Sequence, residues 1–153
     1  MNTDRRLSTA LHALLHLAAH SGPTTSETLA RCMRANPVVI RRTMAGLRDA
    51  GIVHAEKGRG GGWSLGRGLG DITVRDVHVA LGEPSLLAVG LRSQGPECRL
   101  EGAVNDQLAG VLRDAEAALR DRLAEMTLDQ LADRAQRGPH APGAHGHPPP
   151  HRK

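Results

Sequence analysis

Residues 56–68 read EKGRGGGWSLGRG, with six glycines, two arginines and a lysine among thirteen positions. Glycine at that density serves either a loop that cradles phosphates or a tight reversal between strands. A phosphate loop of the P-loop or dinucleotide type runs from a strand into a helix whose N-terminus faces the phosphates. Here Gly58 and Gly60 are in place, but Trp63 stands where the third glycine of GxGxxG belongs, and no Gly-Lys-Ser/Thr follows. The segment after the glycines, Gly62-Trp63-Ser64-Leu65, reads as a strand, as does Ile52-Val53-His54-Ala55-Glu56 before them. The stretch is therefore predicted to be a β-hairpin. Its Lys57, Arg59 and Arg67 offer charge to a nucleic-acid backbone or minor groove.

The residues ahead of the hairpin give it a context. Residues 4–20, DRRLSTALHALLHLAAH, place Leu7, Leu11, Leu14, Leu15 and Ala18 at helical spacing, and Ser21-Gly22-Pro23 stops the helix. A second helix opens on Thr24 with Glu27 at capping-box spacing, Thr25 being a competing cap, and is expected to bury Leu29, Ala30 and Met33. Asn36-Pro37 then supplies an N-cap and the one proline position a helix welcomes, so a third helix runs over 37–50 until Gly51 ends it. Its buried face is Ile40, Met44 and Leu47, and its opposite face near the start carries Val38, Val39, Arg41 and Arg42. Two helices joined by Arg34-Ala35-Asn36, the second presenting arginines from its first turns, make a helix-turn-helix whose second helix can enter a DNA major groove. The hairpin adds a wing.

Beyond the wing, Thr73 and Asp76 form a capping box for a helix from Val74 to about Leu81. From about Glu101 to Glu125 there is no proline, and apolar residues recur along one side. Such a helix is about 38 Å long, more than a small winged-helix core can cover. Its stripe, Leu108, Val111, Leu112, Ala115, Leu119 and Leu123, is therefore predicted to meet a second copy of the chain. Thr127 caps a last short helix. The terminal GPHAPGAHGHPPPHRK holds five prolines and four histidines with no core former except alanine, and is expected to be disordered. The fold class is thus mainly α with a small β-hairpin. Residues 1–82 form the winged helix-turn-helix, 83–100 a connector, 101–137 the dimerisation helix with its closing helix, and 138–153 a tail.

Composition agrees with this assignment. Aromatic content is 1%, Trp63 standing alone, so the core must be aliphatic. The net charge of +4 is uneven: residues 1–80 hold eleven Lys/Arg against six Asp/Glu, whereas residues 81–137 hold seven against ten. An anionic partner is sought in the first half. No signal peptide and no membrane-spanning apolar run is evident, and with only Cys32 and Cys98 the expectation is a reducing cytoplasm without a structural disulfide. No nucleophile, base and orienting residue fall on matching elements, so no enzymatic activity is expected.

Together LRDAGIVHAEKGRGGGWSL, DITVRDVHVAL and MTLDQLAD resemble the Rrf2 family of bacterial winged-helix transcription regulators, over about Leu7 to Ala132. The resemblance implies a homodimer on a double-stranded operator of two-fold character, probing the major groove with the third helix and the minor groove with the wing. On the matching positions it assigns Asn36, Val38, Val39, Arg41 and Arg42 to recognition and Lys57 and Arg59 to the wing; Thr24, at the start of the second helix, joins the expected DNA-contacting set. Cluster-binding members carry three cysteines between the capped helix and the long one. Here Cys98 stands alone, so an iron–sulfur cluster is not expected. The ECRLEGAVNDQLAGVL segment resembles the family's single-cysteine branch.

Three features admit two explanations each. Cys98 lies between Arg92 and Arg99 just ahead of the long helix, where cations and a helix N-terminus lower a thiol pKa; it is either a redox sensor or a small buried hydrophobe. His12, His16 and His20 recur every four residues, and His12 with His16 could grip a metal, but a full site needs a third or fourth ligand and a solvated stripe is the plainer expectation. Arg41 and Arg42 could be a solvated face; their place after the Asn36-Pro37 turn and the basic wing downstream favour DNA. Two rival functions remain: a metal-responsive regulator using histidines, and a basic dimer that coats DNA without sequence preference.

Overall fold

The computed structural model describes residues 5–87 and 99–137. Cys98, most of the connector and the His/Pro-rich tail lie outside the described residues. The elements run α1 (Arg6–Ala19), α2 (Ser26–Met33), α3 (Pro37–Asp49), β1 (Val53–Glu56), β2 (Gly62–Leu65), a single 3-10 turn (Leu69–Asp71), α4 (Val74–Ala80), α5 (Arg99–Glu125) and α6 (Leu128–Gln136). This is the mainly α architecture with a small antiparallel hairpin that the sequence predicts.

Helices α1, α2 and α3 close on one aliphatic core. From α3 it takes Ile40, Met44 and Leu47, the expected face. From α1 the buried set is Ala10, Ala13, Leu14 and Leu17, which shares only Leu14 with the expected stripe. Leu7 and Leu11 pack at its edge, and Ala18 is exposed. Alanines at 10 and 13 let neighbouring elements approach the α1 backbone, and the leucines then flank the contact rather than centre it.

The helix ends follow their side chains. Asn36 caps α3, its Oδ1 accepting from Val38 N at 2.8 Å, with Pro37 in the first turn. Gly51, at φ +70, leaves α3 in the left-handed region that an L side chain resists. For α2 the cap is Thr25, whose Oγ1 accepts from Thr28 N at 3.1 Å, and not Thr24. The backbone of Thr24 is engaged elsewhere: it exchanges two hydrogen bonds of 2.9 Å with Trp63. The helix therefore starts one residue later than the Thr24–Glu27 spacing suggests.

β1 and β2 pair antiparallel from Val53↔Leu65 to Glu56↔Gly62. The turn uses Gly58 at φ +94 and Gly60 at φ +80, so glycine is required there for the fold of the wing. At Gly62 the requirement is space: a Cβ would lie 2.7 Å from the carbonyl group of Thr24. The wing is thus pressed onto Thr24, two residues ahead of α2.

The long arm is tied back to this core at its far end. The capping box of Thr73 and Asp76 starts α4, with Asp76 N donating to Thr73 Oγ1 at 3.0 Å and Thr73 N donating to Asp76 Oδ2 at 2.8 Å. Beside it Val74 N donates to Met126 O at 2.8 Å and Leu128 N to Ile72 O at 2.9 Å. Leu128 is fully buried in the main core. The closing helix thus packs with the winged-helix unit, while α5 spans 27 residues, about 40 Å, away from the joint.

Candidate nucleic-acid interface

The start of α3 is unusually bare. Val38 is 58% and Val39 47% exposed, although both are large apolar residues on a helix that otherwise buries its aliphatics. Arg41 and Arg42 stand exposed beside them. Apolar and guanidinium side chains together suit a major groove, where thymine methyls and guanine acceptors lie side by side.

Contacts link this helix to the wing through α2. The indole Nε1–H of Trp63 donates to Ser26 Oγ at 2.8 Å within the buried layer, fixing β2 to the first turn of α2. One residue on, Glu27 Oε1 accepts from Arg41 Nη2 at 2.7 Å, joining α2 to α3. The hairpin, the start of α2 and the first turns of α3 are thus consecutive neighbours. Lys57 and Arg59 are exposed at the hairpin tip.

The Arg41–Glu27 pair was not legible from the sequence, because the two residues are fourteen apart on different helices. The backbone amide at Glu27 itself holds this carboxyl below its ordinary value, against the opposing effect of desolvation, with Arg41 and then Thr25 adding to the lowering. Both side chains are 59% exposed, so the pair is solvated and can open toward a partner. Arg41 is thus parked, whereas Arg42 is not ion-paired among the described residues.

A second feature lies in the helix-turn-helix turn. Arg34 sits at φ 50, the left-handed region, where such turns commonly carry glycine. Ala35 N closes the turn on Ala30 O at 2.9 Å. Arg34 is exposed there, adding a cation to the turn at a backbone cost.

Other expected site residues are placed as follows. Thr24 is buried at 6% exposure with its backbone bonded to Trp63, so it supports the wing and does not lie on the surface with the arginines. Asn36 is exposed and caps α3. On α5, Leu108 and Val111 are exposed at 45% and 64% and Ala115 is exposed, while Leu112, Leu119 and Leu123 are half-buried against their own chain. Cys32 is exposed; Cys98 lies outside the described residues. The His12 and His16 rings sit 4.8 Å apart, centroid to centroid, and His20 Nδ1 meets His16 O at 2.7 Å. Burial, then His12 and His20, lower the His16 pKa. Among the described residues no group of three or more His, Cys, Asp or Glu side chains is placed to hold a metal.

The sequence profile of the Rrf2 family, described as an iron-dependent transcriptional regulator, matches residues 3–134. The chain belongs to the Rrf2 family. Among Rrf2-like relatives, Bacillus subtilis YwnA, described as an HTH-type transcriptional regulator, is 28% identical over 128 residues, 84% of this chain and 95% of YwnA. A solved structure described as a DNA binding protein is 26% identical, with a TM-score of 0.65 over 82% of this chain and 97% of its own. The structure of B. subtilis CymR, a global cysteine regulator, superposes with a TM-score of 0.61 at 24% identity, over 88% of this chain and 98% of its own. That likeness is one of fold. Among the described residues of this Rrf2 protein, no helix is long and apolar enough to cross a membrane.

Proposed function

We propose that this protein is a sequence-specific DNA-binding repressor that acts as a homodimer in the cytoplasm. The observation that carries the assignment is the exposed start of α3, where Val38, Val39, Arg41 and Arg42 are presented to solvent and are linked through α2 to a basic wing. A winged helix of this kind sets α3 in the major groove and the Lys57 and Arg59 tip against phosphates or the minor groove. The dimer is supported by α5, whose Leu100, Val104, Leu108 and Val111 are bare on a helix of 27 residues. The family relationship supplies the regulatory context.

The inducing signal in this proposal is oxidation of Cys98. Its support is the position of the thiol in sequence, flanked by Arg92 and Arg99 and one residue ahead of α5. No iron–sulfur cluster and no catalysis enter the proposal.

The test is the affinity of the reduced protein for the DNA upstream of its own gene and for a random duplex of equal length, by fluorescence anisotropy at fixed salt. A preference of about 10³ or more supports a sequence-specific regulator; equal affinities make the protein a DNA-coating one and overturn the proposal. Repeating the titration after mild peroxide treatment, with a Cys98→Ser variant in parallel, tests the switch. Oxidation must weaken the wild type and leave the variant unchanged.

A further inference from the structure

Next to the exposed start of α3 the chain forms a half-open cleft of about 250 Å³. Val39, Gly46, Ala80 and Leu81 supply apolar walls, and Arg6, Arg42 and Thr43 the polar ones. Three helices meet there: the first residue of α1, the middle of α3 and the end of α4. The reason for the space is visible at Gly46. α3 and α4 come so close at this glycine that a Cβ would lie 3.1 Å from Ala80 O. A larger residue at 46 would part the helices or fill the gap between them; glycine does neither. Thr43 is buried, whereas Val39 and Arg42 are exposed.

The chemistry of the walls selects an occupant. Apolar side chains on several sides with the Arg42 guanidinium beside them match a compact anion that has an apolar body, and a carboxylate presents two oxygens to a guanidinium fork. A bare phosphate would pair with Arg42 but leave Val39 and Leu81 wet. The volume lies just below the usual range for drug-sized ligands, which points to a small molecule.

We infer that this cavity binds a small organic carboxylate, and that its occupancy and DNA binding are mutually exclusive. The inference rests on the proposed DNA-binding function for its second half only. Val39 and Arg42 belong both to the cavity and to the DNA-reading face of α3. A ligand ion-paired to Arg42 and lying over Val39 withdraws a cation and an apolar contact from the groove at once. Coupling between the sites then needs no change of conformation, because both partners compete for the same two side chains.

The probe is benzoate, titrated into the full chain without DNA and followed by backbone amide NMR, with benzamide and inorganic phosphate at matched ionic strength. Benzoate should give saturable shifts confined to residues around 39–46 and 80–81, with benzamide weaker than benzoate at least several-fold. Arg42→Gln should abolish the benzoate response while the rest of the spectrum stays native-like, and Ala80→Met should do so by filling the cavity. Absence of saturable shifts, or shifts unaffected in a folded Arg42→Gln variant, overturns the site. Phosphate binding as tightly as benzoate overturns the organic ligand class and leaves a seat for a backbone phosphate. On DNA, saturating benzoate should raise the apparent Kd by the factor one plus the ratio of benzoate to its own Kd; an unchanged Kd refutes mutual exclusion. Failure of the DNA-binding proposal appears separately, as equal affinity for operator and random duplex without any ligand.

Discussion

The wing is held by one indole, and its hold can be measured. Trp63 is 9% exposed and Ser26 5%, so their 2.8 Å hydrogen bond lies where water cannot easily replace either partner. A buried neutral hydrogen bond contributes about 0.5–1.5 kcal/mol net, and an orphaned polar group costs about 1–3 kcal/mol. Trp63→Phe keeps an aromatic ring in the core but removes the donor and part of the volume, so we expect it to cost about 2–3 kcal/mol. Ser26→Ala orphans the indole N–H, but alanine is the better helix former by up to about 0.5 kcal/mol, so its single effect is expected at about 0.5–2.5 kcal/mol. The informative quantity is the coupling energy from the double-mutant cycle, expected at about 0.5–1.5 kcal/mol. Urea denaturation followed by far-ultraviolet circular dichroism gives all four stabilities, since Trp63 is the only tryptophan and fluorescence is lost with it. A coupling within about 0.3 kcal/mol of zero would refute the reasoning. The wing would then be carried by its two backbone bonds to Thr24 and by the apolar burial of Val53 and Trp63.

Four further outcomes are expected. Arg34→Gly relieves a left-handed backbone and should stabilise by about 0.5–1 kcal/mol, a Tm rise of roughly 1–4 °C, while weakening DNA binding through loss of a cation; scanning calorimetry and anisotropy check the two effects, and a lower Tm contradicts the backbone argument. Glu27→Gln frees Arg41 and removes a negative charge from the basic face, so affinity for random duplex should rise several-fold; unchanged affinity would mean that the pair opens without cost on DNA. If α5 forms the proposed dimer, Val111→Glu, which places charge on its bare part, should give a monomer in light scattering that keeps its helical spectrum; a wild-type mass of one chain, or a mass unaltered by the variant, removes α5 from the proposed interface. His16 has its pKa lowered in the fold by burial and then by His12 and His20, so the unfolded chain takes up the proton first as pH falls. Stability is therefore full above the unfolded value near 6.5 and is lost below it; His16→Gln should flatten the difference between denaturation midpoints at about pH 7.5 and pH 5.5.

The features legible from the sequence were those written in local chemistry. Asn36-Pro37, Thr73 with Asp76, Gly51 and the glycines of the hairpin each act within a few residues, and each stands where its spacing predicts. Misassignments came where a distant residue intervened. Thr24 has the spacing of a cap, yet Trp63, far along the chain, occupies its backbone and passes the cap to Thr25. Ala18 continues a helical stripe, but the packing of α1 is centred on the small residues Ala10 and Ala13, a matter of inter-helix distance that a hydrophobic period does not encode. The parked Arg41 and the cavity at Gly46 depend on the approach of α2 and α4 to α3, and no local pattern announces either.

The tie between α5 and the winged-helix unit bears on how a signal ahead of α5 would reach DNA. In the proposed response, the 27 continuous residues of α5 are the route by which a change near Arg99 would reach its last turn. The residues that follow that turn are not free: Met126 O and Leu128 N are bonded to Val74 and Ile72, and Leu128 is buried in one core with Leu14, Ile40 and Leu47. Close-packed cores shift between discrete arrangements rather than deform smoothly. A displacement of α5 must therefore either break these bonds or carry the start of α4 with it. The end of α4 touches α3 at Gly46, within the same helix that exposes Val38 and Val39. In the proposed redox response, oxidation of Cys98 would act at one end of α5 and the orientation of α3 would change through the contact of α4 with α3 at Gly46.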